Sequence, residues 1–292
     1  MSLRRLYIRS LAIIGIVLTF SVGKGYSQGT DINSGKQPHF YIGFSFSPTQ
    51  TLIANNGSTS ISKITSETEN SIAGACEAGY SFTRYFGVSI GIGYSSYITD
   101  LSLGAYDNNY DTTDNTESYK RIISGKDITE IQKISLLNIP ISACFQLPIN
   151  DNFGLYFQSG LNFSIPVTKS YTSSGTFTYT GYYQAYNIYI TGVPYEGLEK
   201  DYPTADKGQL KLKSIITELN TSAGAQFNIQ NKIQISLGIL YCKSLSDISG
   251  YTLSTKYNIS SKPNQMKSLM EGSTKASVSS FGLRIGFRYY LK

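Results

Sequence analysis

The sequence predicts an all-β protein: eight antiparallel strands closed into an up-and-down barrel that crosses a membrane. Three observations predict it. Eight segments alternate large apolar with small polar residues at a period of two. The connections between them alternate strictly between long and short. And the second face of the alternating segments carries Gly, Ser, Asn and Gln with few charges, which is not the surface of a water-soluble sheet.

The first segment is Phe40–Phe46, with Phe40, Ile42, Phe44 and Phe46 set against Tyr41, Gly43 and Ser45. The second, near Ser71–Phe82, is weaker: Ile72, Ala78, Tyr80 and Phe82 oppose Glu77 and Gly79. In the third, Phe86, Val88, Ile90, Ile92 and Tyr94 alternate with Gly87, Ser89, Gly91, Gly93 and Ser95. The fourth, Lys133–Leu147, sets Leu137, Ile139, Ile141, Ala143, Phe145 and Leu147 against Asn138, Pro140, Ser142 and Gln146. "FGLYFQSGLNFSIPV", from Phe153, is the cleanest and forms the fifth. The sixth spans Lys211–Ile229 with Glu218 on its polar face, the seventh is "IQISLGILY" from Ile233, and the eighth is "FGLRIGFRYYL" from Phe281. Its polar face holds Arg284 and Arg288.

"TRY", "PINDN" and "QNK" are the short connections, whereas Ser47–Asn70, Leu103–Gln132, Thr168–Leu210 and Ser246–Ser277 are long. A transmembrane barrel has tight turns on its periplasmic side and long extracellular loops. With eight strands both termini fall on the side of the short turns, as this order requires. A soluble barrel or β-sandwich would show its polar face to water and fill it with Lys, Glu and Asp. Small, weakly polar residues instead suit the crowded interior of an eight-stranded barrel. The apolar face then meets lipid, and a lipid-side Arg at mid-bilayer would cost about 2–4 kcal/mol, so Arg284 and Arg288 belong to the lumen.

Composition supports the same picture. The chain has 292 residues, 24 Tyr and no Trp, and its low charge with many aromatics excludes a disordered chain. "MSLRRLYIRS" followed by the short apolar run Leu11–Val22 and "GYSQ" reads as a secretory signal peptide over 1–27, cut after Ser27, with 28–37 a periplasmic segment and 38–292 the barrel. Residues 1–27 hold Arg4, Arg5, Arg9 and Lys24 and no acid, so without them the formal net charge falls from +6 to +2. That near-neutrality excludes nucleic acid as a partner on charge. Cys76, Cys144 and Cys242 are an odd, widely spaced set, read as small apolar fillers.

The pattern resembles small outer-membrane β-barrel proteins of the PorT-like type, with the architecture of OmpA and OmpX barrels. "SLLNIPISACFQL" from Ser135 resembles that family's strand with an Ile-Pro pair. "FGLYFQSGLNFSIPV" resembles its aromatic–Gly–Leu strand. "RIGFRYYL" resembles the C-terminal signal read by the barrel-assembly machinery, with Arg284, Gly286, Tyr289 and Leu291 in its places and Lys292 as a departure. The resemblance implies an outer-membrane location in a Gram-negative cell, with outer-membrane lipid and the assembly machinery as partners.

No GxSxG, HExxH, P-loop or paired-Cys motif is present, and His39 is the single histidine. The expectation is a non-enzymatic barrel without cofactor or metal; Asp107, Asp111 and Asp114 lack the Gly and Glu of a Ca²⁺ loop. Glu77, Glu218, Arg284 and Arg288 form the expected lumenal charge network, either a salt-bridged plug or a gated narrow channel. Tyr179, Tyr182, Tyr183, Tyr186 and Tyr189 form a candidate binding surface for an extracellular glycan or protein, in a loop that alternates well enough to extend as a hairpin. A short helix is expected at Pro263–Met270. Three roles follow: a structural or surface-interaction barrel with a plugged lumen, a narrow porin-like solute channel, or a secretion or assembly accessory that binds periplasmic partners.

Overall fold

The computed structural model describes residues 39–57, 64–114, 117–229, 232–252 and 257–291. The signal-peptide and 28–37 readings lie outside them, as does Lys292. Ten strands are present: β1 His39–Gly57, β2 Thr65–Ser81, β3 Phe86–Thr113, β4 Ser118–Pro148, β5 Phe153–Tyr183, β6 Ile188–Ile190, β7 Tyr202–Gln209, β8 Ile216–Ile229, β9 Ile233–Ser244 and β10 Ser273–Tyr290. Eight of them close a ring in the order β4-β3-β2-β1-β10-β9-β8-β5, with β4 bonded back to β5. All pairings are antiparallel. The extra strands β6 and β7 pair only with the upper part of β5. No helix among the described residues is long and apolar enough to cross a membrane, which says nothing about crossing by strands.

The two faces of the ring are the reverse of a soluble barrel. On β1, Phe40, Ile42, Phe44 and Phe46 are 64%, 56%, 53% and 43% exposed. Their neighbours Tyr41, Gly43, Ser45 and Ser47 are buried. The same holds for Val88, Ile90, Ile92 and Tyr94 on β3 and for Leu137, Ile139 and Ile141 on β4. Glycine lets the small interior fill. Tyr41 lies across β2 at Gly79, where a Cβ would sit 2.1 Å from the Tyr41 ring.

At the end with the short turns, aromatic rings run from strand to strand: Phe40–Tyr80 at 4.7 Å, Tyr80–Phe82 at 5.0 Å, Phe82–Phe86 at 5.8 Å and Phe86–Phe145 at 5.1 Å. They form a continuous aromatic band around this end of the ring.

The long connections depart from the expectation. Leu103–Gln132 is not a loop, because β3 and β4 continue upward as strands of 28 and 31 residues; β5, also 31 residues, continues into the hairpin expected within Thr168–Leu210. The reason is an inversion of polarity. The inward face of β3 is Gly87, Ser89, Gly91, Gly93 and Ser95 below, then Tyr97, Thr99, Leu101 and Leu103 above. Outward, Val88 to Tyr94 give way to Ser96, Asp100 and Ser102. On β5 the switch uses a bulge: Ser135 pairs Thr168 and Leu136 pairs Pro166, leaving Val167 as the extra residue. Above it Phe177 and Tyr179 turn inward and Thr172, Ser174 and Thr176 outward. A second irregularity lies at Asp127, whose φ is 53°.

The upper part is thus a head with a dry core. Leu101, Leu103, Tyr106, Ile123, Ile128 and Phe177 pack with Tyr257, Ile259, Met266 and Leu269 of the last long connection. Below this layer Ile53, Tyr97, Ile134, Leu136 and Val278 pack with Leu210, Leu212, Ile248 and Met270. The described parts of the connection after β9 therefore fold into the barrel mouth. The helix expected at Pro263–Met270 is absent; a single 3-10 turn forms at Leu269–Gly272, capped by the Ser268 side chain.

Candidate functional site

The lumen holds one strong charge cluster. Glu77 of β2, Gly43 of β1 and Arg288 of β10 lie in register across three neighbouring strands. Arg288 Nε donates to Glu77 Oε1 at 3.0 Å, and Arg284 Nη2 reaches Glu77 Oε2 at 3.5 Å. Gly43 leaves the space for this approach: a Cβ there would lie 3.0 Å from Glu77 Cγ and 3.1 Å from Arg288 Cγ. Arg288 also donates to Gln158 Oε1 at 3.0 Å, touches Cys144 Sγ at 3.5 Å, and lies 4.8 Å from the centre of the Tyr41 ring.

Glu218 stands apart from this cluster. It is fully buried and accepts from Ser164 Oγ at 3.1 Å, with no ion pair to either arginine. Cys144 lies in the polar lumen against Tyr41, Ser89 and Arg288, which corrects its reading as an apolar filler. Cys76 faces outward and Cys242 inward, and all three are free thiols. Gln158 was the partner the sequence hid, since one more glutamine on a polar face gives no signal of its own.

Tyr179 does not belong to a surface. It is fully buried, its hydroxyl bonds Ser260 Oγ, and the Arg121 guanidinium lies 5.3 Å from its ring centre. Parity inverts at the bulge, so this tyrosine points into the head. The others gather at the tip of the β5–β6 hairpin. Tyr182 stacks on Tyr189 at 4.5 Å. Tyr183 donates to Asp114 at 2.9 Å and Tyr186 to Glu117 at 2.6 Å. Tyr186, Tyr189 and the nearby Tyr195 are 59%, 64% and 87% exposed. Asp114 is engaged with Tyr183 and with the Glu117 amide, and no group of three or more His, Cys, Asp or Glu side chains among the described residues is placed to hold a metal.

Glu130, inside a segment expected to be loop, fastens the head. Its buried carboxylate accepts from Gln132 Nε2 at 2.6 Å, Ser173 Oγ at 2.7 Å, Ser268 Oγ at 2.7 Å and the Leu269 amide at 2.8 Å. It thereby ties the 3-10 turn to β4 and β5. Removing it would leave several buried donors unpaired, so Glu130→Ala should cost about 2–3 kcal/mol in head stability, read by amide hydrogen exchange of residues 257–272. Burial raises the Glu130 pKa although the four donors pull it down. The folded head therefore holds this proton more readily than the unfolded chain. The stabilisation is whole below the unfolded carboxyl value and is lost as pH rises through the raised one. Glu130→Gln should flatten that dependence in melts recorded across a pH series.

No protein-family model matches the chain, and no curated relative does. Among solved structures, the chain is similar to the outer membrane protein OprG of Pseudomonas aeruginosa at 14% identity, covering 89% of this chain and 99% of that one, with a TM-score of 0.34. It is also similar to Ail, the attachment invasion locus protein of Yersinia pestis, solved with the heparin analogue sucrose octasulfate, at 13% identity over 86% and 99%, with a TM-score of 0.26.

Proposed function

We propose that the protein is an integral outer-membrane β-barrel whose role is non-enzymatic: its lumen is plugged, and it holds a rigid head outside the bilayer for interaction with surface partners. The outward belt of aliphatic and aromatic side chains around a polar interior carries this reading, because hydrocarbon is the solvent in which such a face costs nothing. Two seals support the plug. The Glu77–Arg288–Arg284 layer closes the lower lumen, and Ile248, Leu269 and Met270 close the mouth. Between them lies a cavity of about 50 Å³ lined by Ser47, Thr49, Asn138, Asn162 and Arg284, room for a few waters and no solute. The tyrosine tip at Tyr182, Tyr186 and Tyr189 is the interaction surface, with a glycan or protein as ligand. The terminal residues Arg284, Gly286, Tyr289 and Leu291 serve as the assembly signal.

Membrane fractions run on a denaturing gel with and without boiling test the reading. A folded barrel should migrate differently from its boiled form; a protein recovered in the soluble fraction without detergent would refute it.

A further inference from the structure

In the upper part of the apolar belt, where Ile131 and Leu245 are still exposed, outward lysines interrupt the apolar face on one side of the ring. Lys243 on β9 stands one outward position above Tyr241, on the face that carries Ile235 and Ile239. Lys213 and Lys211 precede β8, directly above the exposed Ile215. Lys133 on β4 lies above Leu137 on the same face. All four are exposed, and none makes an ion pair among the described residues. Strands β9, β8, β5 and β4 are consecutive in the ring, so these lysines occupy one sector. Neighbouring strands are about 5 Å apart, so the sector is roughly 15 Å wide around the ring. The sector ends at β3, where Asp100 lies in register with Glu67 of β2.

We propose that this sector binds the phosphate groups of anionic lipids in the leaflet on the head side. The inference rests on the membrane reading above. Lysine stems lie along apolar surface while the ammonium stays at its edge. The ammonium groups step upward around the ring, from Lys243, in register with Leu219 and through it with Leu161 and Ile141, to Lys133 higher on β4, so a molecule whose chains cover Leu137 and Ile239 places its headgroup among them. An acidic protein segment would find the same charges, but the apolar surface continuous beneath them fits a molecule with acyl chains. The width of the sector suits two adjacent lipids or one headgroup with several anionic groups.

The test compares the wild type with the variant K133Q/K211Q/K213Q/K243Q, and with Lys232→Gln at the short-turn end as control. Each is reconstituted into bilayers of phosphatidylcholine alone or mixed with phosphatidylglycerol, and the lipid retained after extraction is measured by native mass spectrometry. A basic residue near an anionic surface contributes about 1 kcal/mol, so each lysine lost should weaken phosphatidylglycerol retention about fivefold. Raised salt should do the same, and Lys232→Gln should change nothing. Equal retention by wild type and the fourfold variant would overturn the proposal, as would displacement of the lipid by inorganic phosphate, which marks a general anion site. Failure to enter either bilayer would overturn the membrane reading itself, a separate result.

Discussion

Glu77→Ala should destabilise the folded barrel by about 3–5 kcal/mol, the cost of breaking a buried ion pair from one side. Among the described residues, Glu77 is the single acid to which both Arg284 and Arg288 are bonded, and all three side chains are almost wholly buried. Its removal leaves two guanidinium groups close together in a narrow lumen, with Gln158, Gln234 and Cys144 Sγ as the remaining acceptors of Arg288. Urea unfolding in detergent micelles, followed by tyrosine fluorescence, measures the loss. Arg288→Ala should cost less, because Glu77 keeps Arg284. Replacing all three charged residues by apolar side chains of similar volume should recover most of the stability, since desolvation of the charges disappears together with their attraction. If the alanine variant unfolds at the wild-type urea concentration, the cluster is not a seal. Conductance in planar bilayers should stay closed in Glu77→Ala, because the mouth is shut independently by Ile248, Leu269 and Met270. Opening on this substitution alone would favour the narrow-channel reading instead.

Ile90→Arg should cost about 2–4 kcal/mol in a bilayer. Ile90 is 55% exposed near the middle of the outward belt on β3, paired with Ala78 and Ile141. In water, an exposed isoleucine replaced by arginine changes stability within about 0.5 kcal/mol. The two solvents thus predict different results for one substitution. Ser102→Arg, on the same outward face but above the belt, should be neutral in both. Equal stability of Ile90→Arg and wild type in lipid vesicles would remove the main support for the membrane reading.

Period-two alternation was enough to place all eight ring strands, because a ribbon between two media must alternate whichever medium lies on which side. The alternation of short and long connections was enough for the order of the ring. The charged residues of the lower lumen were legible too, since glutamate and arginine on an otherwise uncharged face have nowhere to go but inward. Glu218 was legible as buried but not as solitary: partners across a lumen depend on strand register and side-chain reach, neither of which is local.

The head was not legible, and the reason is physical. Its strands alternate like the barrel's, but with the polarity reversed, so Leu103 falls in a segment expected as a loop and Phe177 in one expected as a solvated hairpin. Whether a face is inside or outside above the belt is decided by the bulge at Val167 and by what fills the mouth. The filling comes from residues 245–252 and 257–272, which have no period of their own and take their shape from the walls they pack against. Sequence by itself determined which residues cannot share a solvent. Only the tertiary structure decided which enclosed space each set would occupy, because burial inside a ring is created by its closure and does not exist in any one strand.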